Sequence, residues 1–231
     1  MLIGIILSGE SVLDILLTLI AVLAAVFFAI VLHEIAHGFI ALKNGDPTAK
    51  FAGRLSLNPV KHIDPIGLIL MLFVGIGWAK PVPVDSRNFR SFKKGMFTVS
   101  IAGVTMNFIL ALFSFLMLGV MSVIPASALV NNVAYAVYEL FLMFFLYSTL
   151  INIGLILFNL LPIYPLDGYR IIETFAPDSR YCRFMRRYGS RILMAVLIGS
   201  YVLGRIYPPL DLFGIYMNLS WVERLILLAW G

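Results

Sequence analysis

Residues 12–42 read VLDILLTLIAVLAAVFFAIVLHEIAHGFIAL. After Asp14 no charged side chain interrupts the run until Glu34, so it is long enough to cross a bilayer, which needs roughly 20 apolar helical residues. Its far end nevertheless carries His33, Glu34 and His37, groups that are costly in hydrocarbon and are rarely placed there without a function. On a helix, residues four apart share a face. His33 and His37 therefore stack in a geometry suited to zinc, with Glu34 beside them as a candidate base.

The rest of the chain supports a membrane reading. Of its 231 residues 61% are hydrophobic and 13% charged, and the mean hydropathy is +0.98, far from the balance of soluble domains. These values predict an all-α polytopic membrane protein of about four to six transmembrane helices. Residues 1–231 are expected to form a single integral-membrane domain, with a core over about 12–207. MLIGIILSGESVLD has no basic start, so the first span is expected to stay rather than be removed as a secretory signal. The single cysteine, Cys182, excludes an intrachain disulfide and a multi-cysteine metal site, and reads as an ordinary thiol in a basic loop.

Charge orients the spans. Nine of the 17 Lys and Arg lie in residues 43–94 and six in 170–191, which places both regions on the cytoplasmic side of what is expected to be a prokaryotic cell membrane, with the N-terminus outside. The run RYCRFMRR at 180–187 fits anionic lipid headgroups beside a span better than nucleic acid. Four long apolar segments, about 12–42, 95–123, 133–161 and 190–207, satisfy this topology, because two spans separate the basic regions. Residues 66–79, IGLILMLFVGIGWA, are too short to span and are expected to dip in and return as a re-entrant loop on the cytoplasmic side. Before it, KFAGRLSL alternates with a period of two and predicts a strand over Phe51–Leu57. After it, KPVPVD suggests an edge strand, since Pro81 and Pro83 cannot donate to a ladder. Residues 208–231 are expected to span or to lie in the interface.

Counting from Ile15 to His33 gives about 27 Å of helix at 1.5 Å per residue, against a hydrocarbon core of roughly 30 Å, so HEIAH sits near the inner surface within reach of cytoplasmic water. Two histidines do not complete a catalytic zinc, which usually has three protein ligands and an open position. Candidates for the third are Asp167, in NLLPIYPLDGYRI at 159–171, and His62 or Asp64, in NPVKHIDPIG. Spacing leaves the choice open.

HEIAHG, LNPVKHIDPIG, WAKPVPVD, AGVTMN at 102–107 and NLLPIYPLDG, in that order over roughly residues 20–190, resemble the motifs of the site-2 protease family of intramembrane zinc metalloproteases. The resemblance implies His33, His37 and Asp167 as ligands of one zinc ion, Glu34 as catalytic base, and cleavage of transmembrane-helix proteins or peptides in the bilayer. Many relatives carry a proline where this chain has Val104, and many carry PDZ or CBS modules, for which there is no room here; the chain resembles the minimal branch. Asn107 is a candidate donor to the oxyanion or an interhelical hydrogen-bonding group, and Asn152 and Asn159, seven apart, are expected to bond between helices. The strand at Phe51–Leu57 would offer backbone partners to an unwound substrate. A metal or proton transporter and a catalytically silent scaffold are the competing classes; the first would need an ionisable pathway through the outer half of the spans, and the second would not need all four chemical residues.

Overall fold

In a computed structural model the described residues are 12–65, 67, 80–206 and three positions near the end, 224, 226 and 229. Helix α1 runs from Val12 to Lys43, a short α2 spans Thr48–Phe51, α3 Phe92–Ser122, α4 Asn132–Asn159, α5 Asp167–Phe175 and α6 Arg180–Ile206. Among the described residues, α1, α3 and α4 are the helices long and apolar enough to cross a membrane. The expected fourth segment is helical as far as Ile206, within α6. The re-entrant stretch, apart from Gly67, and nearly all of 208–231 lie outside the described residues.

The three long helices pack against one another, and small side chains explain how. Lipid tails are as apolar as leucine, so helices associate in a bilayer through close backbone approach and interhelical hydrogen bonds. On α1, Ala21, Ala25 and Ala29 recur every fourth residue and are buried. On α3, the buried stripe is Gly95, Val99, Gly103, Asn107 and Ala111, with the same period. On α4, Ser148, Thr149, Asn152 and Gly154 face inward. Phe108, Ile109, Leu112, Phe113 and Leu116 of α3 point outward instead. Large apolar groups thus face lipid, and small or polar groups form the interior.

Helix α4 starts on a cap, with the Asn131 side chain accepting from Ala134 N at 2.9 Å. It stops at Asn159, ahead of Pro162 and Pro165, which cannot continue it. The chain turns and α5 begins at Asp167. A Cβ on Gly168 would collide with the backbone carbonyls of Leu160 and Leu161, so only glycine lets α5 start so close to the end of α4. Helix α5 packs on α3 and is tied to α6. The buried Tyr169 hydroxyl donates to Glu173, Arg186 pairs with Glu173 at 3.1 Å, and Tyr181 donates to the Pro162 carbonyl. Cys182 is a buried helical residue of α6, not the loop thiol expected, because Ser179 and Arg180 already start that helix.

The region between α1 and α3 departs from expectation. No described residue lies in a strand longer than a single bridge at Ile63. The strand expected at Phe51–Leu57 is replaced by the end of α2 and a turn. Local capping chemistry outweighs the weak alternation: Asp46 Oδ1 accepts from Thr48 N at 3.1 Å, and Gly53, at φ +64°, takes the left-handed conformation that closes the turn. KPVPVD is extended but joins no ladder among the described residues. Two of its backbone donors go to carboxylates instead, Val82 N to Glu34 Oε2 at 2.7 Å and Asp85 N to Asp46 Oδ2 at 2.8 Å. Without its strand, the expected β-addition of substrate at Phe51–Leu57 loses its basis.

Candidate metal centre

Helix α1 presents His33 and His37 on its buried face, 3.0 Å apart between Nε2 atoms. Asp167, at the first position of α5, brings Oδ2 to 3.5 Å from His33 Nε2 and 3.1 Å from His37 Nε2. A sequence separation of 130 residues or more is closed by the packing of α5 on α3 beside α1. His33, His37 and Asp167 are the group of three His, Cys, Asp or Glu side chains among the described residues that could hold a metal ion. His62 and Asp64 are elsewhere: His62 Nε2 bonds the Ser56 carbonyl at 2.7 Å, and Asp64 accepts from Gly67 N at 2.9 Å.

The hydrogen bonds around the cluster settle where the protons are. His37 Nδ1 lies 2.7 Å from the Val99 carbonyl, which only accepts, so this nitrogen is the donor. His33 Nδ1 lies 2.5 Å from Asn107 Oδ1, also an acceptor. In the neutral imidazoles both Nε2 atoms therefore carry lone pairs. They converge with Asp167 Oδ2, which is buried and has no hydrogen-bond donor. Three electron-rich atoms about 3 Å apart in a buried site repel unless a cation sits among them. Donors at about 2.0–2.1 Å from a tetrahedral zinc lie about 3.3 Å from one another, close to the spacing seen, so the donor set fits that ion.

Glu34 flanks the cluster within a cavity of about 510 Å³, whose lining also includes Pro81, Val82, Asn159 and Tyr164. Its Oε2 is held by Val82 N–H at 2.7 Å. Asn107 is fully buried, and its amide donates to Asn152 Oδ1 at 2.7 Å and Ala29 O at 3.4 Å. Both ends of that side chain are engaged within the bundle. Asn152 thus bonds between helices as expected; Asn159 turns back instead to the Leu155 carbonyl of its own helix, at 3.0 Å.

The model of peptidase family M50 matches residues 21–203. The chain belongs to that family. The motif resemblance to site-2 proteases is thereby shown, and the chain is a zinc metalloprotease, a hydrolase with membrane-spanning helices. Among similar proteins, "Putative zinc metalloprotease YwhC" of Bacillus subtilis is 43% identical over 178 residues, covering 74% of this chain and 78% of its own. "Putative zinc metalloprotease Rip2" of Mycobacterium tuberculosis is 26% identical over 226 residues, covering 91% and 80%. The Rip2 of Mycolicibacterium smegmatis is 29% identical over 190 residues, covering 78% and 67%. No solved structure matches the chain.

Three residues of this M50 peptidase that bear on the site escaped the reading of its motifs. A Cβ on Gly103 would collide with the His33 and His37 rings, so glycine here makes room for the imidazoles; AGVTMN flagged the segment but not the reason. Val82 acts through its backbone N–H, to which side-chain chemistry gives no clue. Asp46 is fully buried and gathers Thr48 N, Asn88 Nδ2 and Asp85 N. Burial pushes its carboxyl up, but the hydrogen bonds from Thr48, Asn88 and Asp85 outweigh that and hold it below the usual range. The signal was the Asp-Pro-Thr turn sequence.

Proposed function

We propose that this M50 metalloprotease binds one zinc ion through His33, His37 and Asp167 and cleaves peptide bonds of membrane-spanning substrate helices near the cytoplasmic face, with Glu34 as general base. The observation that carries this reading is the convergence of two Nε2 lone pairs and an unpartnered carboxylate oxygen beside Glu34 in one cavity. Zinc, when bound, supplies Lewis-acid polarisation and lowers the pKa of a water toward about 7.

The chain's own groups do the rest. Glu34 accepts the proton of the attacking water and passes it to the amide nitrogen that leaves. Val82 N–H holds one Glu34 oxygen, and Glu34 lines the cavity. Asn107, whose amide hydrogens are engaged with Asn152 and Ala29, serves this reading better as a positioning group for His33 than as an oxyanion donor. A helical substrate must unwind before attack, and the cavity between α1, the KPVPVD segment and the α4–α5 turn gives the unwound stretch a place out of lipid. Basic residues at the inner ends of the helices support a cytoplasmic site and an outer N-terminus.

The test pairs zinc analysis of the purified protein with cleavage of a single-span reporter. Glu34→Gln is expected to retain one zinc per chain and lose about 10²–10⁴-fold in cleavage. Activity surviving both that substitution and chelation would refute the mechanism.

A further inference from the structure

A line of hydrogen bonds leads away from His33 into the bundle, crossing from α1 to α3 to α4. Asn107 Oδ1 meets His33 Nδ1 at 2.5 Å, Asn152 Oδ1 meets Asn107 Nδ2 at 2.7 Å, and Asn152 Nδ2 meets the Ser148 carbonyl at 2.7 Å. All three side chains are buried. The two amides could in principle be turned by 180°, exchanging oxygen and nitrogen. The far end forbids it. The Ser148 carbonyl has no proton to give, so the Asn152 atom facing it must be the NH₂. Asn152 then presents oxygen to Asn107, whose NH₂ must face it and also meets the Ala29 carbonyl. Asn107 in turn presents oxygen to His33, and only Nδ1–H can answer.

We propose that Asn152, together with Asn107, is a positioning residue that sets the tautomer of His33: the backbone carbonyl of Ser148 polarises the line in one direction and keeps the His33 Nε2 lone pair aimed at the metal centre. Turned the other way, Asn107 would offer NH₂ to Nδ1, the ring proton would move to Nε2, and that nitrogen could no longer ligate. His37 needs no such line, because the Val99 carbonyl sets its tautomer directly. Asymmetry follows. One histidine is held by backbone and tolerates side-chain changes nearby, while the other depends on a residue of α4 that touches neither zinc nor substrate. Partners that orient a ligand histidine typically govern metal affinity by 10–100-fold.

This inference rests on the zinc site proposed above, and the test separates the two. Full-length protein is stripped with a chelator and titrated with zinc against a chromophoric competitor. Wild type is expected to bind and His33→Ala to lose binding; equal binding by both would overturn the zinc site and this inference with it. Asn152→Leu is expected to weaken zinc about 10–100-fold. Asn152→Asp, a neutral acid at this depth with one donor for Ser148 and one acceptor for Asn107, should stay close to wild type. Ser114→Ala removes a different α3–α4 hydrogen bond, Ser114 Oγ to Ser148 Oγ at 2.8 Å, and should leave zinc affinity unchanged. Wild-type affinity in Asn152→Leu, or an equal loss in Ser114→Ala, would overturn the proposal. Should Asn152→Leu fail to fold, ¹⁵N-histidine NMR of the zinc-free wild type reads the tautomer itself: Nδ1–H at His33 supports the proposal, and Nε2–H overturns it.

Discussion

The side chains that α1 brings to the cavity are held from two sides by different materials. Toward the bundle, His33 and His37 are gripped by α3, with the Val99 carbonyl and Asn107 on their Nδ1 atoms and Gly103 beneath their rings. Toward the loop, Glu34 is held by one backbone N–H, from Val82 of an extended segment that makes no ladder. The bundle is rigid because in lipid every helical hydrogen bond is satisfied within its own segment. The loop has no such support, and its conformation depends on the donors that Asp46 collects from Thr48, Asp85 and Asn88. On the proposed mechanism, metal placement is therefore a property of the helices, and placement of Glu34 a property of the loop. The two should be separable by mutation.

Gly103 tests the bundle side. Gly103→Ala places a methyl group against both imidazoles, whose Nδ1 atoms are held by Asn107 and the Val99 carbonyl, so zinc affinity should fall by more than the roughly 10–100-fold that loss of an outer hydrogen bond costs, and cleavage should fall with it. Retained zinc in this variant would mean that the rings can shift and that the bundle is less rigid than its packing implies.

Val82 tests the loop side. A hydrogen bond to a charged group contributes about 1.5–3 kcal/mol, so Val82→Pro, which removes the N–H, should lower kcat about 10–100-fold with zinc content unchanged. Val82→Ala keeps the donor and should cleave like the wild type. Loss of zinc in the proline variant would show that loop and bundle are coupled after all.

The smallest effect concerns the anchor of the loop. Asp46→Asn cannot serve all the donors that the carboxylate serves, and amide protection at Asp85 and Thr48 should fall by about 2 kcal/mol, some 30-fold in exchange rate, with zinc again retained. Because the Asp46 carboxyl titrates below its ordinary value of 3.8, its contribution is fully present above that pH. It is lost as pH falls through the lower, folded value. Protection of the loop that is already lost above pH 3.8 would contradict this assignment.

Much of this was legible along the chain. Uninterrupted apolar runs placed α1, α3 and α4 within a few residues of their ends, because a bilayer enforces helix on any spanning segment. HEIAH brought His33 and His37 together, because a helix puts residues four apart on one face. The loop was misread because alternation over eight residues is a weak signal beside the capping of Asp46 and the left-handed turn at Gly53. Asn107 was noticed, but its work could not be read without its neighbours, since an amide acts through whatever lies at hydrogen-bond distance.

Spans, charge asymmetry and the pairing of His33 with His37 on α1 follow from composition and period, which are local properties of a chain in lipid or water. Asp167 over Asp64, Val82 against Glu34, and the direction of the line from Ser148 to His33 do not. Each depends on two or three segments meeting within about 3 Å, the hydrogen-bonding range, and that proximity exists only once α1, α3, α4 and α5 have packed.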